Sequence, residues 1–260
     1  ESMPGGSRAF EAVAKLCYGV GIEMTPGNVA ALRCAAEYLD MSEAYAENNL
    51  IVSTESFLTR VVLKSWDASL QTLKSCEPLL PHADKLSIVR RCVESIAHQA
   101  IVASEKPSIN PKKTFTSYGH KLSKKSSPQD KDSWWYKDIS ILGMPLFKCV
   151  IRTLEEKGLS PESIAVAVMH YAQMSIPGLV NRRRHTYGGD IHSPRSLLPW
   201  GSDITSNYGQ QLHFLESIEK LLPSSLDVAN VVPTSFLCSL LKIAIILTSS
   251  PGCQASLERR

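Results

Sequence analysis

His185 and His192, with Asp190 between them, are the nearest approach in this sequence to a metal-ligand set. Two imidazoles and a carboxylate suit zinc or a similar transition metal, yet a structural zinc site takes four donors, and no fourth stands at motif spacing. A nucleophilic reading would start from Cys76, His82 and Cys92. Such a pair works only when the thiolate and the imidazole meet in space, and closeness in sequence does not bring that about. His98 and His170 fall inside helical patterns, where they read as surface or satisfied core side chains. Tyr18-Gly19-Val20-Gly21 lacks the third glycine and the preceding strand of a dinucleotide loop. Neither a phosphate-binding G-x-x-x-x-G-K-[ST] nor a G-x-S-x-G nucleophile elbow occurs, and Gly5-Gly6 reads as the start of a helix. The expectation is a chain with no catalytic centre, no cofactor and no metal.

Charge offers a second kind of chemistry. Residues 104–133 hold seven lysines against three acids, while the whole chain carries a formal charge of only +3, so the remainder is close to neutral. Lys112, Lys113, Lys124 and Lys125 in this stretch, and the run Arg182, Arg183, Arg184 further on, are candidates for binding phosphate-bearing partners, above all an anionic membrane surface. Nucleic acid is not expected, because only Phe115 and Tyr118 interleave with the lysines and no recognition helix follows. Thr186, Ser126 and Ser127 follow basic pairs and are candidate sites for a basophilic kinase, whose phosphate would cancel the local positive charge.

The elements that would position these residues are helices. A chain of 260 residues, 43% hydrophobic and 20% charged, has enough apolar material for one large domain or two modest ones. No apolar run approaches the length of a membrane span, and no secretory leader is visible at Glu1. Seven cysteines, none in a C-x-x-C pair, fit buried free thiols in a reducing compartment, and hence a cytoplasmic protein. Asn28 precedes Val29, Leu32, Ala35, Ala36 and Leu39 at helical spacing, and further helices fit Asn49–Leu63, Asp67–Ser75 and Ala83–Val102. Asp138–Lys157 reads as one helix ended by Gly158; Ser160-Pro161-Glu162 then supplies a cap, a first-position proline and a first-turn acid. That helix is expected to stop near Pro177-Gly178. Tyr208–Leu222 and Thr234–Leu247 follow, with Pro223 and Pro251 as stops, while Gly21–Met24 fits a short strand or a turn. The fold class is mainly α. The segment 104–133 is too polar to offset its ordering entropy and reads as a disordered linker; 181–206 reads as a mobile loop.

Gly5-Gly6-Ser7, Ala9-Phe10-Glu11, Lys15, Cys17-Tyr18-Gly19, and the stretch from Thr25-Pro26 through Asn28-Val29-Ala30, Arg33-Cys34-Ala35-Ala36-Glu37-Tyr38-Leu39 to Met41 together resemble the second half of a BTB/POZ domain. The variety they resemble is that of the plant family of non-phototropic-hypocotyl and root-phototropism proteins. Asn49-Leu50, Phe57-Leu58, Ser65-Trp66, Ser75-Cys76, Leu79-Leu80-Pro81 and Arg91-Cys92 are similar to the helical segment that follows it. Trp134-Trp135-Tyr136 with Asp138 resembles the opening of the family's second domain. Leu146-Phe147, Tyr171-Ala172, Pro177-Gly178, Leu221-Leu222-Pro223, Phe236-Leu237, Leu240-Leu241 and Cys253 resemble its interior.

The resemblance implies an order of parts: 1–63 as the C-terminal half of a BTB/POZ domain, 64–103 as helices after it, 104–133 as the linker, and 134–260 as the first part of the family domain. The family's usual N-terminal BTB half has no counterpart here, so a fragment or an inactive truncated product is expected. A BTB-type homodimer is expected only of a chain that carries that half. The implied function is a non-catalytic adaptor of a cullin-RING ubiquitin ligase in light or auxin signalling. The BTB part and its helices would hold a cullin scaffold, and the second domain a client, a receptor kinase among the possibilities. Phe10, Leu16, Tyr18, Tyr38 and Met41 lie in the segments that resemble the cullin-facing region, each with core packing as the competing role. Trp134 and Trp135 are candidate client contacts, with a helix-start anchor in the core as the stronger expectation. The rival is a scaffold at the plasma membrane that binds anionic lipid and receptor kinases without a cullin, and liposome sedimentation at low and high salt separates the two.

Overall fold

The computed structural model describes residues 3–41, 49–105, 134–176, 179, 208–223 and 231–260. Among these every regular element is a helix, and they fall into two compact units, Glu1–Lys157 and Gly158–Arg260.

The first unit begins with α1, Gly6–Cys17. Gly5, as expected, starts it: its φ is +81°, a backbone that favours glycine, and a Cβ there would lie 2.7 Å from that of Ala9. Next comes α2, Val29–Tyr38. Asn28 stands at its cap position but does another job. Its Oδ1 accepts the Thr25 N–H at 2.8 Å and its Nδ2 donates to the Glu23 carbonyl at 2.9 Å, closing the turn that leads into the helix. Residues 21–24 are irregular, not a strand. Ala9 and Val13 of α1 share a core with Ala35 and Ala36 of α2 and with Leu50, and Leu16, Met24 and Met41 pack around it.

Leu50 opens α3, Leu50–Arg60, which Asn49 caps by accepting the Val52 N–H at 3.1 Å. The helix expected to reach Leu63 gives way there to a 3-10 turn, Val62–Lys64. Ser65 then caps α4, Trp66–Ser75, with Asp67 in its first turn. After a 3-10 turn at Glu77–Leu79 come α5, His82–Lys85, and α6, Ile88–Glu105. The single helix expected over Ala83–Val102 is broken because Ser87 takes a φ of +57° and its N–H bonds to the Asp84 carbonyl at 2.8 Å. Ile88, Val89, Cys92, Val93, Ile96, Ala97 and Ala100 of α6 are all buried.

The helix expected over Asp138–Lys157 is likewise two: α7, Trp134–Ile139, and α8, Met144–Glu156. Pro145 explains the break. Inside a continuous helix it would delete an amide donor and collide with the carbonyl four residues back, whereas in the first turn of α8 it does neither. Both helices belong to the first unit, and α8 packs on α6.

The second unit opens after Gly158, at a φ of +82°. It begins with α9, Pro161–Ser175, capped as its sequence predicts: Ser160 Oγ accepts the Ser163 N–H at 3.3 Å. Then come α10, Tyr208–Leu221, α11, Thr234–Ile246, and α12, Pro251–Arg259. Pro251, expected as a stop, instead sits in the first turn of α12, where its fixed φ suits a helix start. Tyr171 of α9 stacks on Phe214 of α10 with ring centroids 5.7 Å apart. Arg260 donates to the carbonyls of Leu222 at 2.8 Å and Pro223 at 2.7 Å, and so satisfies acceptors at the end of α10.

The linker expected at 104–133 lies, from residue 106 onward, outside the described residues, as does the loop expected at 181–206. The two residues that flank the undescribed stretch, Glu105 and Trp134, both belong to the first unit.

Trp135 is 1% exposed, and its removal leaves a large void in that unit. Trp135→Ala should cost about 3–5 kcal/mol, read as a shift in the chemical-denaturation midpoint at unchanged slope.

Candidate partner-binding surface

The apolar face of α1 is made by Ala9, Val13 and Leu16 at helical spacing, and it is this stripe that meets α2. Phe10 and Tyr18 fall off the stripe. Their rings therefore stand in solvent, Phe10 at 55% exposure and Tyr18, just past the helix end, at 88%. Tyr38 closes α2 at 45% exposure, and Val20 and Leu39 are exposed beside these ends in the sequence. Large apolar side chains exposed on or just beyond two consecutive helices can anchor a partner: rings with few rotors lose little entropy on contact and bury much area. Leu16 and Met41, expected on the same surface, are instead half-buried against the α1–α2 core.

The tryptophans divide. Trp135 is buried. Trp134 is half-buried, its ring edge-on to Trp66 of α4 with centroids 4.8 Å apart. The side chains of both are thus used, wholly or partly, in holding α7 in place.

Helices α2, α3 and α6 are laced by charge. The Glu55 carboxylate accepts from Arg33 Nε at 3.0 Å and from Arg91 at 2.7 Å, while Arg33 also reaches Glu37 at 2.7 Å and Arg91 reaches Thr59 Oγ1 at 3.0 Å. Burial alone would push the Glu55 carboxyl up, but hydrogen bonds from Arg91 and Arg33, with their charges, outweigh it and hold the group below its ordinary range. Arg33 and Glu37 could be read from their spacing. Glu55 and Arg91 could not, since they meet only in the folded chain.

A group whose folded pKa is depressed contributes stability above its unfolded pKa and loses it as the pH falls through the folded value. Glu55→Gln should therefore lower the melting temperature at pH 7, and the difference from the parent should shrink once the pH drops below about 4. Paired melts across that range check it.

The thiols sort by burial. Desolvation pushes Cys34 up to about 11 and Cys92 up to about 12, and raises Cys76, which has Cys92 and Cys34 for neighbours, further still. Cys17 and Cys238 are exposed. Alkylation at neutral pH followed by peptide mass spectrometry should label Cys17 and Cys238 quickly and leave Cys34, Cys76 and Cys92 unmodified until the chain unfolds.

Among the described residues no group of three or more His, Cys, Asp or Glu side chains gathers closely enough to hold a metal ion, and no helix is long and apolar enough to cross a membrane. His185, Asp190 and His192, the candidate anion-binding residues Lys112, Lys113, Lys124, Lys125, Arg182, Arg183 and Arg184, and the candidate phosphorylation sites Ser126, Ser127 and Thr186 all lie outside the described residues.

Helices bearing exposed aromatic side chains and a hydrogen-bonded charge lattice suit a protein that works by contact, and comparison with known proteins gives the class. The chain is 40% identical to BTB/POZ domain-containing protein At1g30440 of Arabidopsis thaliana, across 99% of this chain and 39% of that protein. It is 36% identical to Root phototropism protein 2 of the same plant, across 99% of this chain and 38% of that one. A third relative, the Arabidopsis thaliana BTB/POZ domain-containing protein SR1IP1, is 33% identical, across 99% of this chain and 40% of its own length. Residues 133–260 match the model of the NPH3 family. The chain belongs to the plant NPH3 family of BTB/POZ domain-containing proteins. It spans about two fifths of the length of the curated relatives it matches. No solved structure matches it.

Proposed function

We propose that this chain is the contact-making part of a non-catalytic adaptor for a cullin-RING ubiquitin ligase, acting in plant light or auxin signalling. In this reading the helices of residues 1–105 hold the cullin scaffold, and residues from 134 onward engage a client, with a receptor kinase at the plasma membrane as the class of client the family suggests. The work is done in the cytoplasm, at or near the inner face of that membrane. The observation that carries the reading is the exposure of Phe10, Tyr18 and Tyr38 on helices whose other faces are packed. Side chains of this size gain from burial, and their cost in water is offset when a partner covers them. Kinship with Root phototropism protein 2 supports the signalling context.

The test is binding of a purified cullin N-terminal domain to the chain and to a Phe10→Ala, Tyr18→Ala, Tyr38→Ala variant. Since none of the three is buried, the variant should keep its helical circular dichroism. Its affinity should fall at least tenfold, about 1.4 kcal/mol. Equal binding by both proteins would move the contact elsewhere. No binding by the parent chain would remove the cullin from the proposal.

A further inference from the structure

We propose that helices α4 and α6 and the turn at Glu77 form a docking surface for residues 134–157, and that it holds them without help from the peptide that joins the two segments. The chain then stays a single particle when it is cut between residues 106 and 133, and the joint between its two units lies after Lys157.

Two latches, far apart in sequence, carry the inference. At the first, Trp66 Nε1–H donates to Asp138 Oδ2 at 3.0 Å while the Trp66 and Trp134 rings meet edge to face at 4.8 Å. At the second, Glu77 Oε1 accepts the Gly143 N–H at 2.6 Å. Gly143 is the cap residue of α8, so a carboxylate from 66 residues upstream sits at the start of that helix and complements its positive end. The other oxygen of Glu77 is held by Lys74 at 2.8 Å, which keeps the carboxylate aimed. Gly143 is also the residue that fits: a Cβ there would stand 3.1 Å from Glu77 Oε1. The docked segment has its own apolar anchors, for Trp135, Ile139, Phe147 and Ile151 are fully buried and α8 packs on α6.

A covalent link between two pieces that already fit supplies effective concentration and no contact of its own. The described contacts therefore assign 134–157 to the first unit, even though the family domain by sequence spans 133–260. The second unit starts at Gly158.

The experiment is a site-specific protease sequence placed between Lys113 and Lys124 of the full chain, cleavage under native conditions, and size-exclusion chromatography at micromolar concentration. Both pieces should elute together at the uncut volume and part only in denaturant. Loss of a charge-assisted bond predicts that Glu77→Ala weakens re-association of the cut pieces by about tenfold or more, and Trp66→Ala combined with it by a larger factor. Separation of the pieces on cleavage would overturn the proposal. So would undiminished affinity in the Glu77→Ala chain, which would place the attachment elsewhere. Glu77 is partly exposed, so this variant remains decisive if Trp66→Ala fails to fold.

Discussion

The apolar stripe of α6 is the constraint around which the first unit is built. Ile88, Cys92, Ile96 and Ala100 form one ridge and Val89, Val93 and Ala97 another beside it, so the stripe is wider than a single neighbouring helix covers. Each of the larger side chains is worth about 1.5–3 kcal/mol when taken out of water, which makes an uncovered flank expensive. The chain solves this from two directions. The α4 helix and the turn before it arrive from upstream, and α8 arrives from far downstream. The indole bond to Asp138 and the carboxylate at Gly143 follow from that solution, because a helix brought in from so far along the sequence must be fixed in register as well as buried.

Polar contacts complete what packing begins. Glu55 receives two guanidinium groups and joins three helices through one carboxylate. Bonds of this type are directional, so they set how the helices cross, whereas the apolar core sets only that they touch. Phe10, Tyr18 and Tyr38 instead keep much of their ring surface in water. A rigid base carrying uncovered rings is what recognition by contact requires, since little is lost in ordering the surface when a partner arrives.

Much of this could be read from the residues in order, and the exceptions share a cause. Ser160-Pro161-Glu162 announced a helix start, and Gly5-Gly6 another, because capping is a local matter settled within one turn. Pro251 reads as a stop for the same local reason: a proline after an apolar run fits an ending as well as a beginning, and only the next turn decides. The breaks at Ser87 and before Pro145 divide apolar patterns that continue across them, so periodicity alone runs through both. At the candidate surface, the exposure of Phe10 and Tyr18 could be guessed from their place off the α1 stripe. The partners of Trp66, Glu77 and Glu55 could not, for those contacts join residues whose separation leaves no trace in spacing.

Glu105 and Trp134 belong to the same compact unit, so its packing is set by contacts between distant parts of the chain. Closing contacts over a long separation costs entropy that rises only slowly, by about 0.6 kcal/mol per doubling of length. The number of residues between two such partners can therefore change over evolutionary time with little effect on the stability of the frame they build.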